Sequence, residues 1–178
     1  PFFMMVVFAF KMVRERRHSH GNKVAVTWAL GTAVMGFLGA GVWGFLHTLA
    51  PVNYFTHGTQ ITAAHGHLAF FGAYAMIVMT ITSYAMPIMR GRPQGNPLSA
   101  QRVELFAFWT MCIGMLGITL ALTVAGAWQV ALQRIPDDAN ALGFMVTQGK
   151  LIPVYWARLG FGVIFATGLV TYFVSFFV

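Results

Sequence analysis

Thr59-Gln60-Ile61-Thr62-Ala63-Ala64-His65-Gly66-His67-Leu68-Ala69-Phe70-Phe71-Gly72-Ala73-Tyr74 opens an almost unbroken apolar run that continues to Met89. A stretch of that length without a charged side chain reads as a membrane-spanning helix. It nevertheless carries two histidines near its first end, and an ionisable residue inside a span marks a functional site by default. Successive residues of an α-helix are turned by about 100°, so His65 and His67 leave nearly opposite faces of one helix. A single metal ion is poorly placed to take both, because ligand pairs on a helix need i, i+3 or i, i+4 spacing to share a side. Two separate cofactors, one on each side, is the arrangement this spacing allows.

The rest of the chain agrees with a membrane setting. Of 178 residues, 58% are hydrophobic and only 8% charged, and the mean hydropathy is +0.70. Soluble domains carry about a quarter charged residues, so the fold class expected is an all-α, polytopic membrane helix bundle. The formal charge of +7 does not point to nucleic acid, because it is distributed by connection. Lys11, Arg14, Arg16, Arg17 and Lys23 lie between the first two apolar runs, and Arg90, Arg92 and Arg102 between the third and fourth. The alternate connections hold no basic residue between Ala50 and Gly58, and then Arg134 and Lys150 offset by Asp137 and Asp138. That alternation is the positive-inside pattern and reports orientation in a bilayer. Cys112 stands alone in mid-span and reads as a small apolar core residue; no C-x-x-C-H haem-attachment sequence is present.

Five runs follow: a partial span over 1–13, too short for a bilayer core that needs roughly 20 residues, and complete spans over 24–50, 59–89, 103–133 and 151–178. They form one membrane domain, and the truncated first run is expected to be the end of a helix that starts earlier in a longer polypeptide. His18 and His20 repeat the H-x-H spacing in a polar, basic segment, where solvated side chains are expected. Ser99 is placed to cap the fourth run, with Glu104 in or near the first turn facing the helix dipole. His47 reads as an interfacial or hydrogen-bonded histidine that could also support a cofactor. Gly31, Gly36, Gly39, Gly41 and Gly44 favour close helix packing.

A haem iron can be held by one imidazole. With one haem beyond each face of the helix, the two irons would stand roughly 13 to 16 Å apart, set by the helix diameter and one coordinate bond on either side. Electrons could then pass between the porphyrins beside a single rigid helix. Gly66 removes bulk between the two ligands, Ala63, Ala64, Ala69, Gly72 and Ala73 keep both faces low, and Phe70, Phe71 and Tyr74 are expected contacts on the His67 side. The residues by themselves equally allow two hydrogen-bonded core histidines in a helix-packing segment.

The stretch from His57 to Tyr74, and on through Ser83-Tyr84-Ala85-Met86-Pro87, resembles the tenth membrane helix of the large, cytochrome b subunits of bacterial nitric oxide reductases, members of the haem-copper oxidase superfamily. The spacing of the runs is similar to that of the last four of that family's twelve helices, with the stub as the end of the eighth. The resemblance implies that His65 is the proximal ligand of a high-spin haem b and His67 one axial ligand of a low-spin haem b. It implies that His57, eight residues earlier, contacts haem propionates, with Arg134 and Arg158 as further charge-neutralising candidates. It also implies a bacterial cytoplasmic membrane with the haem ligands towards the periplasmic side, nitric oxide as substrate, and a membrane-anchored c-type cytochrome subunit as partner. The family's non-haem iron is held by three histidines and a glutamate from earlier helices, none of them in this chain. The segment alone is therefore expected to be inactive. An oxygen-reducing enzyme of the same superfamily and a haem-free transporter bundle are the alternatives, the latter using the histidines as proton or substrate sites.

Overall fold

A computed structural model describes residues 2–18, 20–137 and 139–177. Ser19, between His18 and His20, and Asp138, half of the acidic pair, lie outside the described residues. Among these the chain is helical throughout, with no strand. We number the helices α1 (Phe2–Glu15), α2 (Lys23–Thr48), α3 (Ala50–Thr56), α4 (Gln60–Met89), α5 (Leu98–Gln133) and α6 (Phe144–Val174). Helices α2, α4, α5 and α6 are each long and apolar enough to cross a membrane.

Local chemistry sets most ends. Asn22 caps α2 by accepting from the Ala25 amide at 3.1 Å, while its own side-chain amide donates to the Ser83 carbonyl at 2.7 Å. The same residue thus starts one span and ties it to the end of the next. Thr59 caps α4 through its hydroxyl, which accepts from the Ile61 amide at 3.3 Å. Beyond α4 the chain reverses at Gly91, whose φ of 72° lies in the left-handed region that favours glycine.

Several expected boundaries are corrected. The stub is helical to Glu15 rather than ending at 13. The span expected over 24–50 ends at Thr48, where Leu49 turns extended (φ −77°, ψ 117°). Ala50–Thr56 then restarts as α3 with proline in its first turn, so the expected loop is largely helix. Helix α5 begins at Leu98, not 103, with Pro97 at the cap position and no side-chain cap, so Ser99 is already inside it. That extra turn makes Glu104 the seventh residue of the helix and takes it away from the dipole. Helix α6 begins at Phe144 rather than 151, because Gln148 and Lys150 do not interrupt a helix, and it ends at Val174. Helix α4 carries a π-helical turn over Phe71–Ala75, and α2 carries one over Phe37–Trp43.

The spans alternate in direction. One end of the bundle gathers Asn22, Ser83 and Gly95, and the other joins the Gln60 amide to Gln129 at 3.1 Å. Helix α5 is the most enclosed span and α6 the least. Small residues allow the close approaches: a Cβ on Gly39 would stand 2.5 Å from the Ala69 nitrogen, and one on Gly114 2.6 Å from the Phe165 nitrogen. The core runs along this seam, with Trp28, Met76 and Met111 almost fully enclosed and Cys112 buried as expected.

Candidate functional site

The two histidines sit one turn beyond the capped start of α4 and meet different neighbours. The His65 ring turns to α2: its Nδ1 lies 3.0 Å from the Gly39 carbonyl, inside the π-helical turn of that helix. The His47 ring stacks on it with centroids 4.9 Å apart and planes 23° from parallel. His47 is fixed in turn by a 2.8 Å bond from its Nδ1 to the Trp43 carbonyl. The His67 ring is exposed on the other side and bonds through Nδ1 to the Ala63 carbonyl, one turn back, at 2.8 Å.

A carbonyl only accepts, so both Nδ1 atoms carry the ring proton. In the neutral imidazole Nε2 then carries the bare lone pair, and neither Nε2 has a hydrogen-bond partner among the described residues. Metal-ligating histidines commonly have this arrangement, with the second nitrogen anchored on a carbonyl that fixes the tautomer and aims the ring. The π turn contributes on the His65 side, because widened turns re-register the ladder and recur at functional positions. Just before this turn, Gly72 of α4 lies against the α2 backbone at Met35 and Gly36.

Two cavities meet at His67. One, of about 430 Å³, is walled by Phe70, Phe71, Tyr74, Val78, Met115 and Phe165. The other, of about 350 Å³, is lined by Ile118, Leu159 and Gly162 with Tyr155 and Arg158. An apolar aromatic bed beside a guanidinium fits a flat hydrophobic macrocycle carrying carboxylates. The donor set fits as well, since each iron would need one neutral imidazole nitrogen from this helix. Among the described residues no three His, Cys, Asp or Glu side chains come together, so no further metal centre is assembled within them.

The other expected residues distribute unevenly. Phe70, Phe71 and Tyr74 line the His67 cavity, as the sequence leads one to expect. Arg158 lies there too, whereas Arg134 is spent on the chain itself, reaching the carbonyls of Tyr54 at 3.5 Å and His57 at 3.3 Å. His57 is exposed at the end of α3, and its ring makes no hydrogen bond among the described residues. Ala64 and Gly72 do not keep a face open, because Ala64 packs fully buried against Ile118 and Leu122, and α2 fills the space over Gly72. His20 pairs with the backbone of Asn22 and lies 6.0 Å from the Tyr84 ring, a local contact at the basic end.

Sequence reasoning gives His47 only a possible supporting place. Its Nε2 is buried without a partner among the described residues, next to the His65 ring. A buried ring nitrogen at such a place has room to pair with an ordered water or with a group from outside the chain. The signal for it is position, eighteen residues before His65 across a short antiparallel connection.

Comparison with known proteins covers nearly the whole chain. Residues 1–164 match the family described as Cytochrome C and Quinol oxidase polypeptide I. A nitric oxide reductase subunit from Stutzerimonas stutzeri is 60% identical over 176 residues, 99% of this chain and 37% of that protein. A cytochrome c oxidase subunit 1 homolog of Agrobacterium tumefaciens (strain T37) is 27% identical over 127 residues, 70% of this chain and 23% of that protein. The chain thus spans little more than a third of the first relative's length. Four apolar spans, two oppositely directed histidines with carbonyl-anchored rings, and this matched length lead to one assignment: the chain is a multi-pass membrane protein that belongs to the cytochrome c and quinol oxidase polypeptide I family, within the haem-copper oxidase superfamily.

Proposed function

We propose that the chain corresponds to the C-terminal part of the haem b catalytic subunit of a respiratory nitric oxide reductase. The observation that carries the reading is the pair of opposed imidazoles, each anchored through Nδ1 to a backbone carbonyl and each offering Nε2. The 60% identity to a nitric oxide reductase subunit, against 27% to an oxidase homolog, supports nitric oxide over oxygen as substrate.

On this reading His65 would hold the high-spin haem b and His67 the low-spin haem b. The bound haems, with a non-haem iron held by residues outside this chain, supply the redox chemistry: two nitric oxide molecules, two electrons and two protons give nitrous oxide and water. The chain's own residues do the positioning. Gly39 and Ala63 fix the tautomer and aim of the two rings, and His47 packs the His65 ring against rotation. Phe70, Phe71 and Tyr74 exclude water from the His67 side, and Arg158 offers positive charge to a propionate. His57 is a second propionate contact, just outside the outer end of α4.

The basic end of the bundle would face the cytoplasm and the histidine end the periplasm, following the lysine and arginine asymmetry. Electrons would then arrive on the His67 side from a membrane-anchored c-type cytochrome subunit. The test is a reduced-minus-oxidised optical spectrum with metal analysis on the full-length complex purified from its membrane. Two b-type haems, non-haem iron and no copper are expected. Haem with copper would instead identify an oxygen reductase, and no haem would leave a transporter bundle.

A further inference from the structure

Glu104 takes no part in the site just described. It is the one acidic residue within the four spans, and it is 1% exposed. Its surroundings draw on every span. From α2, Trp28 Nε1 donates to Glu104 Oε1 at 3.2 Å. From α4, the Ser83 hydroxyl is hydrogen-bonded to the same oxygen. The Ser83 hydroxyl also lies 3.2 Å from the phenolic oxygen of Tyr172 on α6, and that oxygen lies 3.1 Å from the Met79 carbonyl on α4. No cation pairs with Glu104 among the described residues.

Three oxygen–oxygen contacts therefore stand in series: Glu104 to Ser83, Ser83 to Tyr172, and Tyr172 to Met79. Each requires one hydrogen. A carbonyl has none, so Tyr172 donates to Met79; either hydroxyl could donate at the Ser83–Tyr172 contact, and where each contact has its own hydrogen the phenol's is already placed and Ser83 donates to Tyr172. Ser83 is then without a proton for Glu104. With Glu104 a carboxylate, Ser83 would give its hydrogen to Glu104, Tyr172 would have to share a single hydrogen between Ser83 and the Met79 carbonyl, and a buried charge would stand without a counter-ion among the described residues. If Glu104 carries its own proton, all three contacts are filled and the Trp28 donor still finds its acceptor.

We propose that Glu104 is held as a neutral carboxylic acid, a proton site inside the membrane, and that its proton closes a one-way chain from Glu104 through Ser83 and Tyr172 to the Met79 carbonyl, joining all four spans. The chain has one direction because its last acceptor is a backbone carbonyl. Its hydrogens support one another in a medium of low dielectric, and a fully satisfied network of this kind fixes the relative register of the helices that share it.

The test is infrared spectroscopy at neutral pH on the full-length complex, unlabelled and with ¹³C-carboxyl glutamate. The wild type is expected to show a carboxylic-acid carbonyl stretch above the amide band that moves down with the label and is lost completely in Glu104→Gln. Ser83→Ala, which removes the acceptor of that proton, is expected to shift the same band without abolishing it. Gln keeps one donor and one acceptor at this place, so its thermal unfolding should stay near that of wild type while that of Glu104→Leu falls. Loss of intensity only from the carboxylate region in Glu104→Gln would overturn the proposal. Should Glu104→Gln fail to assemble, a wild-type spectrum with no label-sensitive acid band that responds to Ser83→Ala would overturn it equally.

Discussion

The two faces of α4 are built in opposite ways around two residues of the same type. On the His65 face the helix is pressed against α2: Gly39 meets the backbone of Leu68 and Ala69, Gly72 meets Met35 and Gly36, and the ring is stacked by His47 and bonded across the interface. On the His67 face α4 stands back from α6, its ring anchored only to its own helix, with two cavities opening beside it. Precision has a different source on each face. His65 is aimed by a neighbouring helix, so its geometry depends on tertiary packing. His67 is aimed by a carbonyl one turn back, so its geometry is local and its surroundings are left free for a large ligand.

Substitutions break this comparison unequally. Gly39→Val should be the most damaging, because already a first side-chain carbon would stand 2.5 Å from the Ala69 nitrogen, and backbone cannot yield as a side chain can. Overpacking costs roughly 1–3 kcal/mol and more where nothing relaxes. The expected outcome is a full-length protein that does not assemble or loses the His65-side haem first, read by yield and optical spectrum. Arg158→Leu should be smaller and confined to the other face: the folded complex keeps both haems, but the low-spin haem dissociates more readily, followed by haem loss to an acceptor protein. Equal loosening of both haems would break the assignment of Arg158 to the His67 cavity.

His47→Ala should lie below that. It removes an aromatic stack worth about 0.5–1.5 kcal/mol and is expected to alter the high-spin haem spectrum alone. His47→Phe should restore the packing while leaving out the buried nitrogen, so any difference between the two variants reports what Nε2 meets. Gly66→Ala should do least, because no atom lies within 4 Å of the position its Cβ would take. Thermal stability is expected to change by under about 1 kcal/mol, with helix propensity on the favourable side. A collapse comparable to that of Gly39→Val would show that the space between the two histidines is not free.

What can be read from the sequence follows the same division between local and tertiary causes. The opposed histidines are visible because a helix has a fixed angle per residue. The helical character of the runs is equally plain. Their ends are not: a mid-helix Lys150 or a Pro97 cap is decided by what the flanking turn packs against. The π turns at Phe37–Trp43 and Phe71–Ala75 come from two helices fitting glycine against backbone, which no single segment reveals. Glu104 looks like a dipole partner in the sequence because the contacts that build its network join residues 21, 76 and 89 positions apart. Small residues read as haem clearance at Ala64 and Gly72, where they serve helix contact instead, since size alone does not say what approaches.

The most direct test of the central claim, that one helix serves two haems from opposite faces, is the optical and electron paramagnetic spectrum of full-length His65→Ala and His67→Ala measured side by side. The account predicts that His67→Ala loses the low-spin signal and keeps high-spin haem, and that His65→Ala does the reverse. Equal loss of both signals from complexes that remain folded would contradict it.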